Sequence, residues 1–159
     1  ETMGTDDGQN LMASTSNNLY LTGIQFEVGN IATTFEHRSI GDELVRCMRY
    51  YESSYNDGIA PGTNSNVGGY YQQLTSDAGS NAPFSIEYKV RKRTAPVTAV
   101  FYQDNGTINS WNYGRNGSSS TAAPTYHRNS QTHLNAYLYV GAAWVACYVY
   151  GHWTVSAEF

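Results

Sequence analysis

The residues of this chain best suited to ligand chemistry are aromatic side chains set in polar stretches. A sugar presents an apolar ring face with a fringe of hydroxyl groups, and a protein meets it with an aromatic plane beside hydrogen-bonding side chains. Stretches such as SWNYGRNGSSS and TYHRNSQTH have this mixture. The candidate ligand-binding residues are Trp111, Tyr113, Arg115, Tyr126, His127, Tyr70 and Tyr71. The alternative is that these aromatics complete the core or a subunit interface.

Motifs for catalysis, cofactors and metals do not appear in the sequence. No dinucleotide fingerprint, P-loop, HExxH, GxSxG or EF-hand pattern occurs. We therefore expect no catalytic residue and no cofactor. His127 and His133 do not have a spacing that is usual for metal ligands, so we expect no metal site.

The 13 acidic residues are scattered along the chain, and the densest set is Glu27, Glu36 and Glu43. Capping and local salt bridges to neighbouring arginines are the first interpretation of these carboxylates. A pair of carboxylates that hydrolyses a glycosidic bond stays open from the sequence alone, because its two members need not be neighbours in sequence.

Composition and charge argue against some classes of binding partner. The chain has 159 residues, which fits one domain, and its formal net charge of −4 argues against non-specific nucleic-acid binding. The one basic cluster, YKVRKR at 88–93, is interpreted as a solvated strand face or as a rim that pairs with acids of a neighbouring subunit. No apolar run is long enough for a spanning helix, so we expect no membrane insertion.

The two cysteines, Cys47 and Cys147, lie in no CxxC or metal-type spacing. We expect two separate, small buried hydrophobes. A disulfide between them stays open, because it requires that the fold bring them together.

The elements that must position these residues are mostly β-strands. Alternation of apolar and polar residues over 19–29, 84–91, 134–139 and 152–159 predicts strands, since every second side chain lines the same face. Each of these strands is predicted to bury one face only.

Turns and polar loops separate the predicted strands. Asn-Gly at 105–106 predicts a hairpin turn that joins PVTAVFYQ to TINSWNYG. Residues 56–82 and 114–132 are rich in Gly, Asn and Ser. The first is predicted to be a long loop, or a loop around a short strand at YYQQL, and the second a polar loop. We expect any recognition chemistry in the loop regions 56–82 and 106–132.

SIGDELVRCM is the one predicted helix. Ser39 is a natural N-cap, and Asp42 lies three positions later, where its carboxylate complements the first turn. Ile40, Leu44 and either Cys47 or Met48 then fall on one face of the helix.

These elements predict an all-β fold. About eight strands, one helix and long loops are typical of an antiparallel, jelly-roll-like β-sandwich with one short helix. The polar residues 1–18 are expected to form an N-terminal arm or the end of an upstream module, and residues 19–159 the sandwich domain.

One stretch, YLTGIQFEVGNIATTFEHRSIGDELVRCMRYYE at 20–52, is more tightly specified than the rest. It closely resembles a segment of tail fibre, receptor-binding and related virion proteins of bacteriophages and prophages. The segment there reads Val-Gln-Leu-Glu-Val-Gly, Ala-Thr-Pro-Phe-Glu, Glu-Leu and Cys-Gln-Arg-Tyr-Tyr-Glu, with counterparts here at 24–29, 32–36, 43–44 and 47–52. Thr34 and Met48 replace the usual Pro and Gln. The C-terminal WTVSAEF is similar to the usual ending of that family.

The resemblance implies a C-terminal, β-rich domain at the distal end of a virion appendage. Such domains assemble in the bacterial cytoplasm, where cysteines stay reduced, and are often homotrimers that contact host-surface polysaccharide and other virion proteins. The family supplies no catalytic residues. The structural roles that the resemblance implies fall on Glu27 and Glu36, which would organise the turn, and on Tyr50 and Tyr51, which would anchor the following strand. The residue pattern itself ends the first strand at Gly29 and starts the helix at Ser39.

The leading hypothesis is a non-enzymatic phage virion protein, the C-terminal domain of a tail fibre or similar receptor-binding appendage. It would bind host-surface carbohydrate through loop aromatics. The alternative is a purely structural fibre or capsid-decoration domain that serves trimer assembly. A third hypothesis is a glycan-cleaving tailspike enzyme.

Overall fold

The computed structural model describes residues 20–21, 23–74, 80–96, 98–115, 118–141 and 147–158, without the side chains of Leu74, Arg115, Ser118 and Cys147. The chain divides into two compact units, Glu1–Arg38 and Ser39–Phe159. The boundary expected after residue 18 falls inside the first unit. Within the described ranges, no helix is long and apolar enough to cross a membrane.

The described part of the first unit is a turn held together by the carboxylate of Glu27. Glu27 accepts a hydrogen bond from the Thr33 hydroxyl and another from the Thr33 backbone N–H, each at 2.6 Å. These two bonds hold the pKa of Glu27 below its usual value. Gln25 closes the same turn by accepting a bond from the backbone N–H of Glu36 at 2.8 Å. Among the described residues of the strand predicted over 19–29, which are 20–21 and 23–29, the structure has no strand.

The second unit opens with the predicted helix, α1, which spans Ile40–Met48. It begins at Ser39 because the Ser39 hydroxyl accepts a hydrogen bond from the backbone N–H of Asp42 at 3.1 Å and donates one to the Asp42 carboxylate at 2.8 Å. α1 buries none of its residues. Its apolar face is therefore exposed, and Cys47 is an exposed free thiol, contrary to the expectation of a buried hydrophobe.

Nine strands follow the helix within the described chain. They are β1 (Tyr51–Ser53), β2 (Tyr70–Leu74), β3 (Asn81–Glu87), β4 (Thr98–Tyr102), β5 (Trp111–Arg115), β6 (Ser118–Ala122), β7 (Thr125–Asn129), β8 (His133–Tyr139) and β9 (Cys147–Ser156). All of their pairings are antiparallel. The polar loop predicted over 114–132 is therefore wrong, since it contains β6 and β7. These are edge strands with mostly exposed side chains, so their sequences lack the apolar alternation that reveals a buried strand.

The larger sheet is built around β9, which has 10 residues. β2 and β1 pair in turn along one edge of β9, and β5 and β4 pair along the other edge. β6 extends the sheet beyond β5. The turn predicted at 105–106 is present, and a single antiparallel bridge joins Tyr102 to Ile108 across it. The two strands that this turn joins lie one after the other along β9 instead of pairing with each other.

The smaller sheet has the order β3-β8-β7. Its predicted alternation is confirmed. Phe84 and Ile86 of β3 and Leu134, Ala136 and Leu138 of β8 are buried, while the residues that alternate with them are not. The inner faces of both sheets meet in one core, where the ring of Phe84 stacks on that of Trp111 at 4.8 Å. The predicted all-β sandwich with one short helix is confirmed for the part of the chain that the structure describes.

A buried ion pair ties β1 to the stretch after β3. Lys92 Nζ lies 2.5 Å from Glu52 Oε2 and 2.5 Å from the backbone oxygen of Met48 at the end of α1. Both charged side chains are almost completely excluded from solvent. The basic cluster at 88–93 is thus not a solvated strand face: β3 ends at Glu87, and one of the cluster's lysines is a buried structural cation. Removing either partner would leave an uncompensated buried charge.

Trp111 occupies the centre of the core. Its side chain is fully buried, and its indole Nε1 donates a hydrogen bond to the backbone oxygen of His152 at 2.7 Å. The ring rests on Gly151, where a Cβ would stand 2.6 Å from Trp111 Nε1 and 2.7 Å from the backbone oxygen of Tyr102. Only glycine fits at this position of β9, at the point where β9 passes from the β2 and β5 half of the sheet to the β1 and β4 half.

Gly151→Ala is expected to lower the free energy of unfolding by about 2–3 kcal/mol, because the added methyl group overpacks the indole. Chemical denaturation followed by circular dichroism measures this change. Gly41→Ala is the matched control, since a Cβ there meets only the Ser39 hydroxyl at 3.8 Å and alanine favours a helix. An unfolding free energy that Gly151→Ala leaves unchanged would contradict this packing.

Candidate functional site

One concave site in the described chain is a groove of about 390 Å³ that lies over the smaller sheet and the adjoining strand β2. This volume is in the range of small-ligand sites. Four strands, β2, β3, β7 and β8, contribute its lining residues: Gln72, Pro83, Phe84, Ser85, His127, Asn135, Ala136 and Tyr137. We call it the outer groove, because most of its side chains point away from the core.

Strand register places the lining residues in two rows across the smaller sheet. Pro83 of β3 lies opposite Tyr137 of β8, and Ser85 lies opposite Asn135. Phe84 and Ala136 between them are buried, so the pleat sends their four neighbours to the outer side. Because Phe84 points into the core, the side chains before and after it in β3 must face outward, toward the groove.

A β-bulge puts His127 into the groove. Tyr126 pairs with Ala136 and Arg128 pairs with Asn135, so His127 is the extra residue on β7. Bulges re-aim a side chain and are frequent beside functional sites. The exposed His127 ring meets the Tyr137 ring edge to face, with the centroids 6.4 Å apart and the planes at 70°.

Tyr70 lies between the core and the part of the groove that β2 contributes, and it supports that part of the groove. Its ring stacks on Trp111 at 5.3 Å, and its hydroxyl lies 2.9 Å from the backbone oxygen of Ser85 and in contact with the Gln72 side-chain amide. The Tyr70 hydroxyl has one proton, so it donates to one of two oxygens at a time, the backbone oxygen of Ser85 or Oε1 of Gln72.

The groove combines one aromatic face with short polar side chains. Tyr137 offers the face and a hydroxyl, His127 a ring with a donor and an acceptor, and Asn135, Gln72 and Ser85 offer amides and a hydroxyl. This set suits a small polar ligand that has an apolar face. No protein-family model, curated protein or solved structure matches the chain. The site therefore has to be interpreted from its own chemistry.

Two of the aromatics predicted to bind ligand are core residues. Trp111 is fully buried and Tyr113 is 7% exposed, both on the inner face of β5. A ligand could reach them only if the two sheets separated, so the structure corrects the prediction for both. Tyr70 is half-buried in the same layer, and it supports the groove from beneath.

The remaining predicted residues divide between different surfaces. His127 lines the groove. Tyr126, 49% exposed, neighbours it on β7 but pairs with the inward-facing Ala136 and does not line the groove. Tyr71, 67% exposed, lies on the opposite face of the larger sheet. The side chain of Arg115 lies outside the described part of the chain.

Sequence reasoning missed Tyr137, Asn135, Ser85 and Gln72. The alternation of HLNAYLYV already put Asn135 and Tyr137 on the outward face of one strand. The missing information was which strands lie beside them. That depends on pairing between β3 and β8, whose residues lie about fifty positions apart in sequence.

The other conspicuous polar group, His152, is satisfied within the fold. Its Nδ1 lies 3.0 Å from the Ser54 hydroxyl and its Nε2 lies 2.8 Å from the backbone oxygen of Ser65. The Tyr55 ring stacks on it at 3.9 Å. Nε2 donates to the carbonyl, so Nδ1 accepts from Ser54, and the ring is a structural link between β9 and the loop after β1. Among the described residues, no three His, Cys, Asp or Glu side chains form a metal-binding group.

Burial raises the pKa of the Tyr70 hydroxyl from 10.0 to about 12. The folded state therefore favours the neutral hydroxyl, and the stability linked to it is present below about pH 10 and is lost as the pH rises toward 12. We expect Tyr70→Phe to reduce the fall in unfolding free energy above pH 10. Urea denaturation at several alkaline pH values measures the slope, with the exposed Tyr71→Phe as the control. Equal slopes for Tyr70→Phe and the unsubstituted protein would contradict the burial of this hydroxyl.

Proposed function

We propose that this protein is the C-terminal domain of a phage tail fibre or similar receptor-binding appendage, and that it binds host-surface carbohydrate in the outer groove. The observation that carries the proposal is the composition of the groove. The Tyr137 ring face lies among His127, Asn135, Ser85 and Gln72, and this mixture fits the apolar face and hydroxyl fringe of a sugar.

Support for the virion assignment comes from the sequence. The segment at 20–52 resembles a segment of phage tail fibre and receptor-binding proteins, and WTVSAEF resembles the ending of that family. In this chain, Glu27 organises the turn, Ser39 caps α1, and Tyr51 pairs with Ser156 near the C-terminus. These contacts give the shared residues structural roles.

Binding without cleavage is the better account of the groove. Glycoside hydrolysis needs a pair of carboxyl groups that flank the scissile bond. The lining residues in the described chain include no aspartate and no glutamate. The acids at 27 and 36 instead hold Thr33 and Arg38 in the first unit. The lining of the groove therefore supports the proposal of receptor binding.

Tyr137→Ala and His127→Ala are each expected to weaken binding to the host polysaccharide by roughly tenfold, because each removes a ring that faces the ligand. Binding is measured on arrays of bacterial surface glycans and by competition for cells of the suspected host. Both side chains lie on the outer side of the sheet, so circular dichroism should show an unchanged fold.

Tyr126→Ala is the matched control for these variants, since it removes a half-exposed ring from the same strand outside the groove. Its affinity should equal that of the unsubstituted protein. Full binding by both Tyr137→Ala and His127→Ala would show that the outer groove is not the binding site for the polysaccharide. Release of reducing sugar from the host polysaccharide would instead favour a tailspike enzyme.

A second candidate function, trimer assembly in a fibre or decoration protein, is favoured by the first unit. Ile24, Phe26 and Val28 are 72%, 97% and 101% exposed beside the hydrogen-bonded turn of Glu27. Exposed apolar side chains on an ordered segment are typical of a surface that a partner covers. We propose a homotrimer, assembled in the bacterial cytoplasm with other virion proteins, in which copies of this chain cover these side chains.

Light scattering at micromolar concentration is expected to give the mass of a trimer, and Phe26→Ser/Val28→Ser is expected to shift it toward the monomer because apolar contact area is lost. Val67→Ser, an exposed apolar residue of the second unit, is the control. A monomer for the unsubstituted chain would contradict assembly through this surface.

A further inference from the structure

Three tyrosines form a continuous aromatic surface on the outer side of the larger sheet. Tyr71 of β2 lies opposite Tyr150 of β9 in the register, and Tyr148 is the next residue of β9 on the same side. The rings of Tyr71 and Tyr148 are stacked, with centroids 5.8 Å apart and an angle of 20°, and those of Tyr148 and Tyr150 are 5.8 Å apart at 35°. We call these three residues the tyrosine face.

The tyrosine face is not part of the core. None of its members belongs to the buried cluster, and Tyr71 is 67% exposed while the other two are half-buried. The pleat of β9 puts Val149 inward, so Tyr148 and Tyr150 must point to the other side. Three large rings on the solvent side of the sheet do not contribute to the core of the fold.

Polar groups border the tyrosine face along β5 and β6. Register places Asn112 beside Tyr150 and Thr121 beside Asn112, and it places Gly114 beside Tyr148. Gly114 has no side chain, so the surface is open next to the Tyr148 ring. Thr121 is exposed and offers a hydroxyl, whereas the Asn112 side-chain oxygen accepts a bond from Gln103 at 2.6 Å.

The charged side chains on and near this surface indicate which class of ligand it can bind. The described side chains that share this side of β2, β5, β6 and β9 include no lysine and no arginine. The nearby Asp104 carboxylate acts on Tyr150 electrostatically, and burial together with that negative charge raises the pKa of the Tyr150 hydroxyl. A nucleic acid or an acidic polysaccharide would need cations here, whereas an uncharged sugar chain needs only ring faces and hydrogen-bonding groups.

We propose that the tyrosine face is a second carbohydrate site, separate from the outer groove, that binds an uncharged and extended polysaccharide chain. The three rings extend over two neighbouring strands with centroid spacings of 5.8 Å, which is a larger area than one sugar unit needs, so a chain is the fitting ligand. The site lies on the other sheet and has its own geometry, and it stands whether or not the outer groove binds a ligand.

Affinity electrophoresis in native gels tests this site, with dextran, mannan, mixed-linkage β-glucan or acidic alginate embedded in the gel. We expect at least one uncharged polymer to retard the protein and alginate to have no effect. Tyr71→Ala and Tyr71→Ala/Tyr148→Ala should raise the dissociation constant for that polymer, the double variant by roughly tenfold. Tyr71 is exposed, so the single variant keeps the fold if the double variant does not. Tyr139→Ala, which removes an exposed tyrosine outside both sites, should leave retardation unchanged.

Several results would overturn the proposal. No retardation by any uncharged polymer, retardation by alginate alone, or unchanged retardation of both tyrosine variants would each do so. Retardation that disappears in Tyr137→Ala and persists in Tyr71→Ala would assign the binding to the outer groove. Concentration-dependent self-association that Tyr71→Ala abolishes, with no retardation by any polymer, would make this surface an interface between copies of the chain.

Discussion

The packing of Trp111 on Gly151 is the contact on which the rest of the sandwich depends. Gly151 lies where β9 exchanges its partner strands, and only a residue without a side chain leaves room there for the indole. The indole in turn donates to the backbone of His152 and stacks on Phe84 of the smaller sheet. One ring therefore fixes the middle of the central strand and holds the two sheets together.

The geometry of the outer groove depends on the packing of Trp111 on Gly151. Phe84 is held inward by Trp111, so Pro83 and Ser85 must face outward, and their partners Tyr137 and Asn135 follow from the register. The Trp111 ring also supports Tyr70, whose hydroxyl holds the Ser85 backbone and the Gln72 amide. A rigid sheet with buried support beneath each row can present a ligand with preorganised groups, which lowers the entropic cost of binding.

Local features of this fold could be predicted from the sequence, and features that depend on strand pairing could not. The Ser39 cap and the alternation around Phe84 act within a few residues, so their patterns are visible in the chain. Trp111 has polar neighbours in sequence, and its burial depends on β9, about forty residues later. His127 was found as a candidate residue, but its place beside Tyr137 depends on a bulge in β7 that no local pattern reveals.

The measurement that tests the account most directly is chemical-shift mapping of the ¹⁵N-labelled protein with a fragment of the host polysaccharide. The account predicts that the largest amide shift changes fall on the outward rows of the smaller sheet, at 83–85, 127 and 135–137, with the backbone of Trp111 and Gly151 little changed. Shift changes confined to residues away from these rows would contradict recognition in the outer groove.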